Sequence, residues 1–333
     1  MSDRLGRADL HIHTLASDGT AGVEAVLDHV EATRTGRPVN AQRPAGAAPT
    51  AAAPAPAAGL AQAAAVAPGP AAAVAGAPAH GPASARVVAG PAVVFPPGAD
   101  EVLVPMTQMR KGIAAQMTRA LQIPHAYVHM EVDATNLVRM RGMHQAEYRS
   151  REGVSLSYVP FVIKAAVESL KRRGTFNAQW TDEGLLAKRR INVGVAVAVD
   201  EGLIVPVIRD VDQLSINGIN HAIADVAARA RANKLRLDDF GGGTFTVDNT
   251  GWFGSNLTMP IINAPEVAIL TMEAITKRPV VLETASGDVI AIRPVMNMVM
   301  GIDHRANDGA QAAAFLRDVK AWLEAVGPET SVY

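Results

Sequence analysis

The chain has 333 residues and a formal net charge of −1 at pH 7, enough for one sizeable domain with appendages and without the basic excess that draws proteins to nucleic acid. It contains no cysteine, which excludes disulfides, thiolate metal sites and a cysteine nucleophile, and fits a reducing compartment. There is no charged-then-apolar leader and, outside an Ala/Pro tract, no apolar run long enough to span a bilayer, so the expected location is cytoplasmic with no membrane partner.

The N-terminus carries Asp9-Leu10-His11-Ile12-His13-Thr14-Leu15-Ala16-Ser17-Asp18-Gly19, followed by a short helical pattern from Val23 to Ala32. His11 and His13, two residues apart on a strand, share one face. The run resembles the opening motif of the PHP family of metal-dependent phosphoesterases, whose His-x-His pair supplies metal ligands. Such a site needs further ligands from later strands, and the Ala/Pro tract begins before any appear. Residues 1–32 are therefore read as a fused PHP-like fragment, with His11 and His13 as candidate ligands of a phosphoesterase site or of adventitious zinc or nickel. Every aromatic residue lies at or after Phe95, and Pro44 to Ala85 holds no Asp, Glu, Lys or Arg. A segment without large apolar side chains does not offset the backbone entropy of folding, and its prolines interrupt any alanine helix. Residues 33–100 are expected to be a flexible Ala/Pro linker.

From residue 101 to 328 the pattern is that of a folded α/β domain. Ile113, Met117, Ala120 and Leu121 mark a helix closed by Pro124; His125 to Ala134 alternates as a strand; Asn136 to about Arg149 and Tyr158 to Lys171 are helical. His125 and His129 share a strand face without a carboxylate cluster and read as structural or channel-lining residues. Ile191–Val199 and Leu203–Ile208 predict a hairpin around Asp200-Glu201-Gly202, and Ser215 caps a helix running toward Leu235. Gly241-Gly242-Gly243 lacks a P-loop lysine and reads as a turn before the strand Thr244–Val247. Pro265–Met272 and Val280–Ile290 are further strands. Val295–Ile302 is a last strand that delivers His304 to a turn broken by Gly309, ahead of a helix with Phe315, Leu316, Val319 and Trp322. An imidazole in that place is either a base near neutral pH or a hydrogen-bonded structural residue. The sum is an α+β two-layer sandwich, a mixed β-sheet covered by helices.

The run Asp303-His304-Arg305-x-x-Asp308-Gly309 resembles the signature of the 2-oxoacid dehydrogenase acyltransferases, which share the chloramphenicol acetyltransferase fold. The same family pattern runs through Met109-Arg110-Lys111-x-Ile113-Ala114, Pro124-His125, Ile191 to Ala196, Gly202 to Val207, Gly242 to Thr246 and Pro260-Ile261-Ile262-Asn263-x-Pro265-Glu266. The resemblance implies acyl transfer between dihydrolipoamide and coenzyme A, with coenzyme A as substrate and His304 as general base. It implies a salt bridge from Asp308 to an arginine, for which Arg110 holds the matching position, and a structural role for Arg305. Where many members have a hydroxyl to stabilise the oxyanion, this chain has Asp248, an acceptor when ionised; Thr250 and Asn249 rank ahead of it as donors. The site is expected between subunits of a homotrimer, alone or within a cubic or icosahedral core that also meets dehydrogenase components. Asn249-Thr250-Gly251 and Lys277-Arg278-Pro279-Val280-Val281 look like the branched-chain type. The first lysine is Lys111, so the lipoyl group is expected from another, lipoyl-bearing protein. The substituted position, Asp248, leaves open an alternative: a structural core subunit with impaired catalysis.

Overall fold

The computed structural model describes residues 93–200 and 202–333. The PHP-like fragment, with His11 and His13, and the linker up to residue 92 lie outside the described residues. Helix α1 (Gln108–Ala120) opens on Thr107, whose hydroxyl accepts the Arg110 N–H at 3.2 Å. Strand β1 (His125–Asp133) leads into α2 (Thr135–Glu152) and α3 (Val159–Arg172). Two short strands, β2 (Ala178–Thr181) and β3 (Gly184–Ala187), pair with each other. The next stretch makes β4 (Val193–Val195), β5 (Val197–Val199), β6 (Gly202–Ile204) and β7 (Val207–Ile208). After α4 (Ile216–Arg231) come β8 (Phe245–Asn249), β9 (Ala268–Met272), β10 (Thr276–Thr284), β11 (Gly287–Asp303) and α5 (Gly309–Glu324).

The main sheet runs β1-β11-β9-β8-β4-β7, with β10 on the first half of β11. β8 is parallel to β4 and β9, and the remaining pairs are antiparallel, so the sheet is mixed as expected. One face is the core. Alternate residues Phe245 and Val247, Ala268, Leu270 and Met272, and Met296, Met298, Met300 and Ile302 meet Leu137 and Met140 of α2, most of α3, Ile216 and Ile219 of α4, and Phe315, Leu316, Val319 and Leu323 of α5. On the opposite face β1 is open, with His125 half-buried and Tyr127, His129 and Glu131 exposed, while Thr246, Thr271, Asn297 and Val299 of the inner strands are buried. A small cluster of Ile123, Ile262 and Ile269 closes part of that face.

Two strand expectations are corrected. Val280–Ile290 is not one strand but the end of β10, a turn and the start of β11, because Gly287 takes a φ of 108° and reverses the chain between them. The hairpin between residues 191 and 208 divides: β5 and β6 form their own two-stranded sheet, while β4 and β7 join the main one. Pro206, which lacks an N–H, stands at the break. The helix expected to reach Leu235 stops at Arg231, and Leu235 packs beside the small cluster of Val197, Ala227 and Ala230. Beyond residue 328 the chain remains packed: the Asn217 N–H donates to the Val332 carbonyl at 2.7 Å and Tyr333 stacks on Tyr148.

Candidate active site

The last residue of β11, Asp303, is 1 % exposed and pairs in register with His125 of β1. Its carboxylate accepts from the Arg305 N–H at 3.0 Å and from the Arg305 guanidinium at 2.9 and 2.7 Å. Arg305 also lies 5.3 Å over the Trp180 ring. His304, between them, is exposed, and its backbone N–H donates to the Pro124 carbonyl at 2.9 Å. The turn is therefore braced through its backbone and both flanking side chains. Among the described residues no side-chain hydrogen bond engages the His304 ring.

Asp308 does not meet Arg110. Its carboxylate accepts the Gln311 N–H at 2.8 Å while the Gln311 side chain accepts the Asp308 N–H at 2.9 Å, a reciprocal capping box that starts α5. Arg110 is exposed on α1 and forms no ion pair among the described residues. The Asp-x-x-Gln spacing ahead of a helical run satisfies two helix-end N–H groups locally, and that local solution displaces the expected long-range bridge.

The far end of β8 forms the second cluster. Its centre is Glu273, directly after β9 and 1 % exposed, which the sequence reading did not single out. Its carboxylate accepts hydrogen bonds from the hydroxyls of Thr250 (2.5 Å), Ser255 (2.5 Å), Thr258 (2.6 Å) and Thr271 (3.0 Å), and from the Thr258 N–H (3.2 Å). Burial pushes the Glu273 carboxyl up, but these donors outweigh burial and hold it below its ordinary value. The Thr250 proton is thus directed into Glu273. Asp248, half-buried on the open face, is shifted the other way: burial first, then the Glu273 charge, raise it, and a bond from the Asn249 N–H opposes this only in part.

Gly251 fits this cluster because it has no side chain. A Cβ there would lie 2.3 to 2.5 Å from backbone atoms of Glu273 and Ala274. Gly251→Ala is expected to destabilise the fold by roughly 3 kcal/mol through overpacking against a backbone that cannot yield, measured as a lowered urea midpoint.

A third buried carboxyl, Glu266, receives the Thr246 hydroxyl at 2.6 Å and the Asn263 amide at 3.2 Å. Burial pushes it up to about 8, with those two bonds opposing. Between its ordinary 4.5 and about 8 the folded chain holds a proton that the unfolded chain releases, so stability falls as pH rises through that interval. Glu266→Gln, isosteric with the protonated acid, is expected to flatten this slope; thermal midpoints at pH 5.5 and 8 for the two proteins test it.

The two clusters stand at opposite ends of the sheet. In register, Asn249 lies beside Met272 and Ile302 beside Ala268, so His304 and Thr250 fall beyond the two ends of β9. At ~3.3 Å per residue along the strand the separation is on the order of 20 Å. An imidazole able to take a proton and a donor end able to face an oxyanion are both present, yet one chain does not bring them together. Trp252, Phe253 and Leu257, next to the donor end, are 62, 57 and 53 % exposed, an apolar rim suited to cover by another surface. Among the described residues there is no group of three or more His, Asp or Glu placed to hold a metal ion, and no helix is long and apolar enough to cross a membrane.

Comparison with known proteins gives a consistent set of matches. The family described as 2-oxoacid dehydrogenases acyltransferase (catalytic domain) matches residues 98–331. The chain is 42 % identical over 231 residues to the lipoamide acyltransferase component of the branched-chain alpha-keto acid dehydrogenase complex of Bacillus subtilis, an alignment covering 69 % of this chain and 54 % of that protein. The chain thus spans about half the length of the curated relatives it matches. Among solved structures, a probable dihydrolipoamide acetyltransferase from Listeria monocytogenes is 42 % identical with a TM-score of 0.68, covering 70 % of this chain and 99 % of that one. A dihydrolipoamide acetyltransferase of Azotobacter vinelandii, studied for the role of a serine, a histidine and an asparagine in its catalytic mechanism, is 33 % identical with a TM-score of 0.65, covering 71 and 96 %.

Proposed function

The chain belongs to the 2-oxoacid dehydrogenase acyltransferase family, and from that premise we propose that it transfers an acyl group between dihydrolipoamide and coenzyme A, with His304 as the general base. The observation that carries this reading is an exposed imidazole on a turn braced by the Asp303–Arg305 pairing and by the bond from the His304 N–H to the Pro124 carbonyl. A thiol with a pKa near ~8.5 is mostly protonated at neutral pH. His304 removes the proton of the coenzyme A thiol as its sulfur attacks the thioester carbon, and the carbonyl electrons move onto oxygen. Collapse of that oxyanion breaks the carbon–sulfur bond to the lipoyl arm, and the proton passes to the departing sulfur. One thioester replaces another, with no change of oxidation state.

The oxyanion is met by the Asp248–Asn249 end of a neighbouring subunit. The Asn249 amide is the donor there; Thr250, bonded to Glu273, props the strand end. Asp308 and Arg305 hold the turn, Asp308 by capping α5 and Arg305 by binding Asp303. The separation of about 20 Å within one chain supports a closed ring of subunits, a homotrimer, as the smallest active unit, which larger cores repeat. The lipoyl arm arrives on a lipoyl-bearing domain outside residues 93–333, and the 42 % identity to a branched-chain component supports a branched acyl group.

The test is transfer from acetyl-, isobutyryl- and isovaleryl-CoA to free dihydrolipoamide by the purified full chain. Branched acyl groups are expected to move fastest. No transfer of any of them from an assembled, folded protein would overturn the reading in favour of a structural core subunit, which the carboxyl at Asp248 would then explain, and Asp248→Ser would be the variant to assay next.

A further inference from the structure

His125 was expected to be a structural or channel-lining residue, and its bonds are more specific than either. One ring nitrogen, Nδ1, lies 2.7 Å from the Ile123 carbonyl, which only accepts; the other, Nε2, lies 3.0 Å from the Ile262 N–H, which only donates. Those two partners fix the ring as the neutral Nδ1–H form, donating to Ile123 and accepting from Ile262. The ring therefore ties the start of β1 to the Pro260–Pro265 segment. The same segment is held by the Gln116 amide, which donates to the Ala264 carbonyl at 2.6 Å, and by Ile262, fully buried with Ile123 and Ile269.

Between Ile123, which the ring holds, and His125 itself stands Pro124, whose carbonyl accepts the His304 N–H. His125 itself is the register partner of Asp303. Within the acyl-transfer reading, on which this rests, we propose that His125 is the positioning residue for His304: a neutral imidazole clamp that sets the direction of the Pro124 carbonyl and, through it, the backbone of the base. It touches no reacting atom. Its effect is on how often the His304 ring stands in reach of the thiol, and a misplacement of the order of 1 Å costs up to about a hundredfold in rate.

Three variants separate the clamp from general packing. His125→Phe keeps a ring and removes both bonds; His125→Gln places an acceptor where Nε2 stood; His125→Asn reaches only the near position. The expected result is a kcat lowered about tenfold or more in Phe and Asn with the KM for acyl-CoA within about twofold, and most of the rate recovered in Gln. Wild-type kcat in the Phe variant would overturn the proposal, as would equal rates in Gln and Asn, a comparison that stands even where Phe does not fold. Nitrogen-15 imidazole spectra of the wild-type full chain at pH 7.5, with the signal assigned by its loss in His125→Gln, are expected to show the Nδ1–H form. An Nε2–H or doubly protonated ring would overturn the clamp. That spectrum reads the clamp whether or not the protein transfers acyl groups, so its outcome is separate from that of the transfer assay.

Discussion

His304→Ala is expected to lower acyl transfer by roughly 10²- to 10⁴-fold while leaving the protein folded and assembled. The stability half of this expectation follows from what alanine retains. Among the described residues the one hydrogen bond that His304 makes is its backbone N–H to Pro124, and the buried pairing of Asp303 with Arg305 involves neighbours on either side. Removing an exposed ring deletes no core contact, so the thermal midpoint should shift little. The rate half follows from the chemistry: without a base the small thiolate fraction present at neutral pH must carry the reaction unaided. The check is steady-state transfer beside size measurement by light scattering. A kcat within threefold of wild type in a normally sized particle would rule out His304 as the base.

The second large effect is expected at Glu273. Four hydroxyls and one N–H converge on this carboxylate from Thr250, Ser255, Thr258 and Thr271. Glu273→Ala strands them in a buried space, and breaking a buried charged network from one side costs on the order of 3–5 kcal/mol. For a domain of this size that is a fall in the thermal midpoint of roughly 6–15 °C. Glu273→Gln should lose less, because hydroxyls can rotate to accept from an amide, whereas the Thr258 N–H cannot. The pH dependence has a definite sign. A carboxyl held below its ordinary value contributes stability that is complete above the unfolded value of 4.5 and disappears as pH falls through the lower, folded one. Acid unfolding of the wild type should therefore steepen below about pH 4.5, and the Gln variant should lack that component. Calorimetry of the three proteins between pH 3.5 and 7 checks both; an unchanged midpoint in Glu273→Ala would show that the cluster does not hold the strand end.

How much of this was legible in the sequence depended on whether the determining contacts were local. Ser215, which caps α4, and the apolar run from Val295 to Ile302 act over a few residues, and the corresponding elements were read close to where they lie. The capping box at Asp308 was equally local and was passed over, because the family resemblance assigned its carboxylate to a distant arginine rather than to a helix start. Glu273 was illegible for the opposite reason. Its four hydroxyl partners are spread over residues 250 to 271 and share no periodicity; the one visible signal is a lone charged residue directly after the wholly buried run Ala268 to Met272. The Thr250 hydroxyl looked free to face a substrate for the same reason, since nothing in its neighbourhood along the chain announces the carboxylate that binds it.

The distance between the two clusters also has a genetic consequence. In the ring proposed above, where each active centre takes its base from one subunit and its donor end from the next, a defect at His304 and a defect at Gly251 damage different halves of the same junction. Co-assembly of two such inactive parents, each folded enough to join a ring, restores intact junctions: with random mixing about one in four pairs a sound base with a sound donor end. Two inactive alleles would complement each other. A single allele carrying both defects would instead poison two junctions in every ring it entered, and so would be more harmful in a mixed population than either defect alone.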